Sequence, residues 1–169
     1  MDDPNNNHLT NEKRFTHLNE AGEARMVDVS GKQPTRRTAI AQGHISMTPE
    51  TLSKIKNNQL SKGDVLQVAR LAAIMAAKKT SELIPLCHHI PIASFTVNFT
   101  SDEMIPGIAV RTEVTSVGQT GAEMEALTAA SVALLTVYDM AKSLERGMVI
   151  SQVQLLSKEG GKSGAWSTE

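Results

Sequence analysis

The chain has 169 residues, a length that suits one domain, and 40% of them are hydrophobic, which is enough for a buried core. The net charge of −1 argues against a nucleic-acid or membrane-surface coat, and the single cysteine excludes an intrachain disulfide. Since the N-terminus does not resemble a signal peptide and no apolar run reaches roughly 20 residues, we predict a soluble cytoplasmic protein.

The first half of the chain predicts one strand followed by two helices. Residues 1–16 are polar and predicted to be flexible, ahead of a single α+β domain over residues 17–158. Alternation with a period of two from Thr35 to Met47 is typical of a strand. Thr48-Pro49 has the cap and first residue of a helix that runs to about Asn57. Asp64 is placed to cap a second helix, Val65 to about Lys79.

The second half predicts a hairpin, a long helix and a last strand. The hairpin strands centre on residues 95–99 and 108–114, and the final strand covers 149–155. Between them, Gly121 to Gly147 lacks internal glycine and proline, which favours a helix with Gly147 as its cap. Residues 159–169 form a glycine-rich basic tail. This order is the ferredoxin-like split βαβ arrangement with an added helix, which predicts an antiparallel sheet with helices on one face.

Asp139 and Lys142 are charged residues at the C-terminal end of the long, otherwise apolar helix. Their spacing of three places them on one helical face. One interpretation is a structural ion pair at the wet end of the helix. The other is an acid–base pair, because burial and mutual charge tune both groups for proton transfer.

Glu125 opens the same helix together with Glu123. Fourteen positions separate Glu125 from Asp139, which corresponds to roughly 21 Å along a straight helix. The two carboxylates therefore cannot serve one reacting atom within a single helix. They could contact opposite ends of a long substrate, or belong to two sites related by oligomer symmetry.

Cys87-His88-His89 lies between Pro85 and Pro91, where no helix is expected. Adjacent residues of an extended chain point to alternating sides, so the three fit a tetrahedral metal centre poorly and we predict no metal. A histidine held in this segment suits an acid, a base or a substrate donor. An ordinary loop histidine is the alternative.

Several basic residues could contact phosphate. Lys62 stands beside a predicted helix start, where an anion is favoured, although many such lysines have no function. Gly161-Lys162-Ser163 resembles the end of a phosphate-binding loop but lacks the earlier glycine and the following helix. A flexible basic loop could still use Lys158 or Lys162, and the alternative is a frayed tail. Arg36-Arg37 reads as a solvated charge pair, and Lys78-Lys79 as cations that complement a helix dipole.

Seven stretches together resemble one known family. They are MVDVS (26–30), KGD (62–64), AAKKT (76–80), IPLCH (84–88), EMEALTAAS (123–131), YDMAK (138–142) and GGKSG (160–164). Their order and spacing over about residues 15 to 165 resemble the cyclic pyranopterin monophosphate synthase family, the C protein of molybdenum-cofactor biosynthesis. His89 stands where many members carry proline, which alters the local turn and leaves His88 in place.

The resemblance implies an enzyme that converts a cyclised dihydro-GTP intermediate (3',8-cyclo-7,8-dihydro-GTP) to cyclic pyranopterin monophosphate with release of diphosphate, which is a lyase reaction. It implies Asp139 and Lys142 as the catalytic pair with His88 nearby. Further residues implied in the substrate pocket are Leu86, Cys87, Met124, Glu125, Lys62, Lys78 and Lys158. It also implies a ferredoxin-like homo-hexamer, a trimer of dimers with sites at subunit interfaces. No resident cofactor, nucleic acid or membrane is expected.

A rival hypothesis is a non-enzymatic, oligomeric ferredoxin-like module that binds a nucleotide and regulates a partner. Such a module needs the basic pocket but no proton-transfer pair. For the enzyme, we expect each site to draw on two subunits, with Lys62 of one chain meeting Asp139 of the other; Lys78 is the alternative phosphate contact.

Overall fold

The computed structural model describes residues 17–18, 21–162 and 164–168, and in this part of the chain the fold is a five-stranded sheet with helices on one face. The elements in chain order are β1 (Thr35–Ser46), α1 (Pro49–Lys56), α2 (Val65–Lys78), α3 (Thr80–Leu83), β2 (Ile92–Asp102), β3 (Gly107–Gly118), α4 (Glu123–Ala141), β4 (Val149–Glu159) and β5 (Trp166–Ser167). The segment 1–16, predicted to be flexible, lies outside the described residues.

The sheet has the order β2-β3-β1-β4-β5, and every neighbouring pair is antiparallel. The chain passes from β1 through helices to the β2–β3 hairpin, then through α4 to β4 on the free side of β1. This is the split βαβ topology, so the predicted ferredoxin-like α+β class is confirmed. The predicted alternation of β1 is also confirmed, because Ala39, Ala41 and Ile45 are buried in one row.

The helix α4 lies directly on the sheet, and α2 packs along it. Thr112 on β3 donates a hydrogen bond to the carbonyl of Ala126 at 2.8 Å, which brings the helix backbone onto the strand. Gly43 on β1 allows the same approach, since an added Cβ would lie 2.7 Å from Leu134 Cδ1. Small residues in the core thus let α4 approach closely, and a larger side chain at Gly43 would overpack this interface.

Both predicted helix starts are confirmed by their caps. The Thr48 hydroxyl accepts from the Thr51 amide at 3.4 Å, and the Asp64 carboxylate accepts from the Gln67 amide at 3.1 Å. These caps fix where α1 and α2 begin. Lys62 lies in the turn just before the Asp64 cap and is therefore outside α2.

The end of α4 differs from the prediction. The helix stops at Ala141 with Lys142 as its cap residue, so Gly147 is not the cap and Lys142 follows the last turn. Glu145 explains the early stop, because its carboxylate accepts from the amide and the hydroxyl of Thr48, both at 2.9 Å. By length and composition α4 could span a membrane. It is, however, the central helix of this fold, and half of its most apolar 18-residue stretch is buried.

The C-terminal region is more ordered than the sequence indicates. β4 continues past the predicted end at residue 155, and Trp166–Ser167 pairs with it as β5. Gln152 has a positive φ of 54°, beside a register shift against β1 that breaks the predicted alternation of β4. The extension matters for the site, because it carries Lys158.

Candidate functional site

Three predicted site residues meet at the C-terminal end of α4. Lys142 Nζ lies 2.6 Å from Asp139 Oδ1, and Lys62 Nζ lies 3.4 Å from Asp139 Oδ2. Lys62 also donates to the backbone carbonyl of Asp139 at 2.8 Å. We call these three residues the acid–base cluster. One carboxylate between two ammonium groups can take up a proton while the lysines stabilise negative charge.

The fold explains how Lys62 reaches Asp139. Gly63 has a φ of +91°, a backbone conformation that favours glycine, and Asp64 turns its side chain into the α2 cap. Since α2 begins beside the end of α4, the two helices run antiparallel. Lys62 and Asp139 of the same chain make this contact, so the expectation that the pair meets across a subunit interface is wrong.

The charge state of Asp139 follows from its neighbours. The hydrogen bond from Lys142, the charge of Lys142 and the charge of Lys62 lower the pKa of this carboxyl below its usual value. All three side chains are more than two-fifths exposed, so solvent screens the effect. Asp139 is consequently ionised at neutral pH and fits a base better than an acid.

A second group of predicted residues lies at the N-terminal end of α4. The Cys87 thiol is 3.8 Å from Glu125 Oε1 and is oriented to donate to it. Glu125 is only 2% exposed, and its other oxygen, Oε2, is buried without a partner among the described residues. We call Cys87 and Glu125 the thiol–carboxyl pair. An unpaired carboxyl oxygen in the interior is costly, so Glu125 Oε2 is a candidate atom for binding a ligand.

Burial sets the protonation of both groups in the thiol–carboxyl pair. Desolvation, followed by the charge of Glu125, raises the pKa of Cys87 to about 11. Desolvation likewise raises the pKa of Glu125, and the charge of Glu123 adds to the effect. Cys87 is therefore a neutral thiol at pH 7, which suits a hydrogen-bond donor and not a nucleophile.

His88 and His89 turn in different directions, as expected for adjacent extended residues. His88 Nε2 lies 2.8 Å from the carbonyl oxygen of Val27, whereas His89 Nδ1 lies 3.4 Å from the hydroxyl of Ser81. Across residues 17–18, 21–162 and 164–168, no group of three His, Cys, Asp or Glu side chains is arranged to hold a metal ion. His88 faces the chain segment before β1, a contact that the local sequence does not indicate.

Glu123 contacts a predicted site residue and was not itself predicted from the sequence. Its carboxylate forms an ion pair of 2.9 Å with Lys158, and both side chains are about 30% exposed. Glu123 and Glu125 are two apart, so they point to different sides of α4. Lys158 thus lies at the N-terminal end of α4, the end that also carries Glu125, and away from the acid–base cluster.

Arg37 was interpreted as part of a solvated pair, and this is wrong. Its guanidinium is half-buried and donates to the carbonyls of Gly118 and Gln119 at 3.0 and 3.1 Å. Gly161 packs directly against it, since an added Cβ would lie 2.0 Å from Arg37 Nη1. Arg37 therefore ties the glycine-rich C-terminal turn to the end of β3.

The remaining predicted residues lie towards the N-terminal end of α4. Met124 is in its first turn and 36% exposed, and Leu86 precedes Cys87 in the loop after α3. Lys78 is exposed in the last turn of α2, which the antiparallel packing carries towards this end. The structure thus divides the predicted site into two groups along one helix.

The two groups are too far apart for one small substrate atom. Asp139 and Glu125 are 14 residues apart on α4 (139 − 125), or roughly 21 Å at the usual helical rise. A cavity of about 340 Å³ connects neither group. It lies at α1 and the β2–β3 hairpin, and its lining comprises Pro49, Leu52, Ser53, Lys56, Asn57, Glu103 and Pro106. The acid–base cluster and the thiol–carboxyl pair, and not this cavity, define the candidate site.

Comparison with known proteins identifies relatives along most of the chain. The sequence profile of the MoaC family matches residues 26–161. A protein of Thermomicrobium roseum named cyclic pyranopterin monophosphate synthase is 52% identical over 155 residues, covering 92% of this chain and 93% of that one. A protein of Cereibacter sphaeroides with the same name is 55% identical over 150 residues, covering 89% and 94%.

A solved structure of an aminobenzoyl-glutamate utilization protein from Klebsiella pneumoniae has 14% identity and a TM-score of 0.23, and covers 73% of this chain and 28% of that one. A score this low carries no argument about fold or function.

Proposed function

The chain belongs to the MoaC family, and we propose that it acts as a cyclic pyranopterin monophosphate synthase in molybdenum-cofactor biosynthesis. The substrate would be 3',8-cyclo-7,8-dihydro-GTP, and the products cyclic pyranopterin monophosphate and diphosphate. A phosphorus–oxygen lyase fits this outcome, because the new cyclic phosphate bond forms as the bond to diphosphate breaks and no water is added. The acid–base cluster is the observation that carries the proposal.

Asp139 is assigned as the base of this cluster. Rearranging a purine-derived ring requires protons to be removed and returned more than once, and an ionised carboxylate 2.6 Å from a lysine ammonium can do both. Lys142 is the matching acid. A carboxylate whose pKa is held low by two cations is a weak base in the free protein, so substrate binding must draw Lys62 or Lys142 away from it.

Phosphate stabilisation is assigned to the lysines. Expelling diphosphate concentrates negative charge on the leaving oxygens, and fixed cations stabilise that charge. Lys62 belongs to the acid–base cluster, whereas Lys78 and Lys158 lie towards the other end of α4. We propose that Lys158 exchanges its contact with Glu123 for a substrate phosphate, since a partly exposed ion pair is easily opened.

The thiol–carboxyl pair is assigned to binding of the base-derived part of the substrate. Glu125 offers a buried oxygen without a partner, which suits an N–H or amino group of a purine-like ring. Leu86 and Met124 would contact the faces of the ring. His88 would move protons close to this end, as the family resemblance implies.

We propose that one site combines the acid–base cluster of one subunit with the thiol–carboxyl pair of another. The separation of roughly 21 Å within a chain supports this arrangement. Exposed apolar side chains on the outer surfaces of α2 and α4 also favour association, among them Leu71, Met75 and Leu135, each more than half exposed. The proposed assembly is a homo-hexamer, a trimer of dimers. We further propose a cytoplasmic location, catalysis by a single domain over residues 17–158, and no resident cofactor, nucleic-acid partner or membrane.

Incubation of the purified chain with 3',8-cyclo-7,8-dihydro-GTP tests the proposed function. Diphosphate release coupled to formation of cyclic pyranopterin monophosphate is expected, and Asp139→Asn should abolish it without preventing substrate binding. The rival regulatory module would bind the nucleotide and release no diphosphate. That outcome would exclude the synthase.

A further inference from the structure

A short segment before β1 contacts His88 and belongs to neither the acid–base cluster nor the thiol–carboxyl pair. We call residues 27–32 the strap. At one end, the carbonyl oxygen of Val27 lies 2.8 Å from His88 Nε2. At the other end, the side-chain amide of Gln119 donates to the carbonyls of Lys32 at 3.0 Å and Ser30 at 3.4 Å. The strap is therefore clamped at both ends.

The strap also has its own internal turn. The Asp28 carboxylate accepts from the Ser30 amide at 2.8 Å, and the Lys32 amide donates to the Val29 carbonyl at 2.9 Å. These bonds make the segment between the two clamps compact. We therefore expect a loss of contact at the Gln119 end to change the position of Val27.

The contact with Val27 determines where the proton of His88 lies. A backbone carbonyl can only accept a hydrogen bond, so Nε2 must carry hydrogen to make this contact. In neutral His88 the other nitrogen, Nδ1, is then unprotonated. In proteins, a hydrogen-bond acceptor beside one ring nitrogen commonly fixes both the tautomer and the orientation of a histidine.

We infer that the strap fixes His88 as the Nε2–H tautomer, that Nδ1 is the atom that exchanges protons with substrate, and that Gln119 is a positioning residue for this atom. The inference rests on the proposed function only for the role of Nδ1. Gln119 is itself held in place, because Arg37 donates to its backbone carbonyl at 3.1 Å and to that of Gly118 at 3.0 Å. Its side chain contacts the strap at Ser30 and Lys32, so its effect on His88 is expected to pass through the strap.

The first test reads the tautomer directly. Full-length protein labelled with ¹⁵N-histidine is studied by long-range proton–nitrogen correlation at a pH where His88 is neutral, with His88→Gln used to identify its signals. A single Nε2–H tautomer is expected. A predominant Nδ1–H tautomer, or a mixture of both, in the unaltered protein would overturn the inference.

The second test removes the clamp without removing its bulk. Gln119→Glu keeps the shape of the side chain but replaces the N–H donors with an acceptor that faces two carbonyls. We expect mixed His88 tautomers and a roughly tenfold fall in kcat, with little change in KM or melting temperature. A tenfold fall corresponds to roughly 1.4 kcal/mol of activation free energy. Gln154→Ala, at an exposed position of β4, is the control and should change none of these quantities.

A third variant separates the strap contact from proton transfer. The amide nitrogen of Gln in His88→Gln reaches the position of Nε2 and can still donate to Val27, whereas Asn in His88→Asn mimics the Nδ1 side. Slow hydrogen exchange in the strap should persist in His88→Gln and be lost in His88→Asn, and His88→Gln should be inactive.

The outcomes distinguish two failures. An Nε2–H tautomer in a protein that releases no diphosphate would refute the synthase and leave the positioning intact. An active synthase in which Gln119→Glu keeps wild-type kcat and a single tautomer would refute the positioning alone.

Discussion

Lys62 and Asp139, 77 positions apart in the chain, are joined by a 2.8 Å hydrogen bond from the lysine ammonium to the aspartate's backbone carbonyl. The same ammonium lies 3.4 Å from the carboxylate, which Lys142 contacts at 2.6 Å from the other side. This contact ties the turn before α2 to the end of α4. It means that one chain supplies the whole acid–base cluster.

Asp139→Asn should reduce turnover by several orders of magnitude with almost no change in melting temperature. The amide keeps the size of the side chain but cannot accept a proton, and exposed ion pairs contribute little to stability. Diphosphate release and thermal unfolding measure the two effects. Glu50→Gln is the matched control, because it breaks the exposed Glu50–Lys54 pair of 2.7 Å and should leave turnover unchanged. Full activity in Asp139→Asn would exclude the assignment.

Cys87 should act as a donor and not as a nucleophile. We expect Cys87→Ser to stay within about threefold of wild-type kcat, because the hydroxyl still donates to Glu125. Cys87→Ala leaves both Glu125 oxygens unpaired and should lose roughly tenfold. With a pKa of about 11, the thiol should also react with iodoacetamide at pH 8 far more slowly than free cysteine. A complete loss of turnover in Cys87→Ser would indicate covalent chemistry instead.

Glu125 should make stability depend on pH. Burial raises its pKa in the folded protein above the ordinary value of 4.5, so the folded state holds this proton more tightly than the unfolded state. The favourable contribution is complete below about pH 4.5 and is lost as the pH rises through the folded pKa. Urea unfolding of the wild type should show the free energy of unfolding falling over this range. Glu125→Gln should flatten that slope, and an unchanged slope would show that the carboxyl is solvated.

Removal of metals should leave the reaction intact. His88 and His89 contact different groups, Val27 and Ser81, and Cys87 turns to Glu125, so this segment does not converge on one ion. Protein treated with a chelator and then separated from it is expected to release diphosphate at an unchanged rate. Restoration of a lost activity by one specific divalent ion at one equivalent per subunit would contradict this prediction. Magnesium carried by the triphosphate does not count.

Local patterns predicted the elements that depend on neighbouring residues. The buried row Ala39, Ala41 and Ile45 follows from alternation in β1, and the caps Thr48 and Asp64 follow from side-chain chemistry. The Asp139–Lys142 pair follows from the helical repeat. Each of these features is decided within a few positions of the chain, which is why the sequence indicates them.

Contacts between distant segments were not predictable in the same way. No local pattern shows that Lys62 meets Asp139 in one chain, that Val27 accepts from His88, or that Cys87 faces Glu125. The predicted end of α4 at Gly147 was wrong for a similar reason. Glu145 turns back to Thr48, and this tertiary contact overrides the signal of Gly147.

Hybrid oligomers test most directly whether the site is shared between subunits. Asp139→Asn and Glu125→Gln should each be inactive alone, because they damage opposite ends of α4. Co-expressed, they should form some sites in which both ends are native. Random mixing at a two-fold interface predicts about a quarter of wild-type diphosphate release. The control pair, Asp139→Asn with Lys62→Ala, should stay inactive, because both changes fall in the acid–base cluster of one chain. If hybrids form and the first pair also stays inactive, or the control pair recovers, the two-subunit site is wrong.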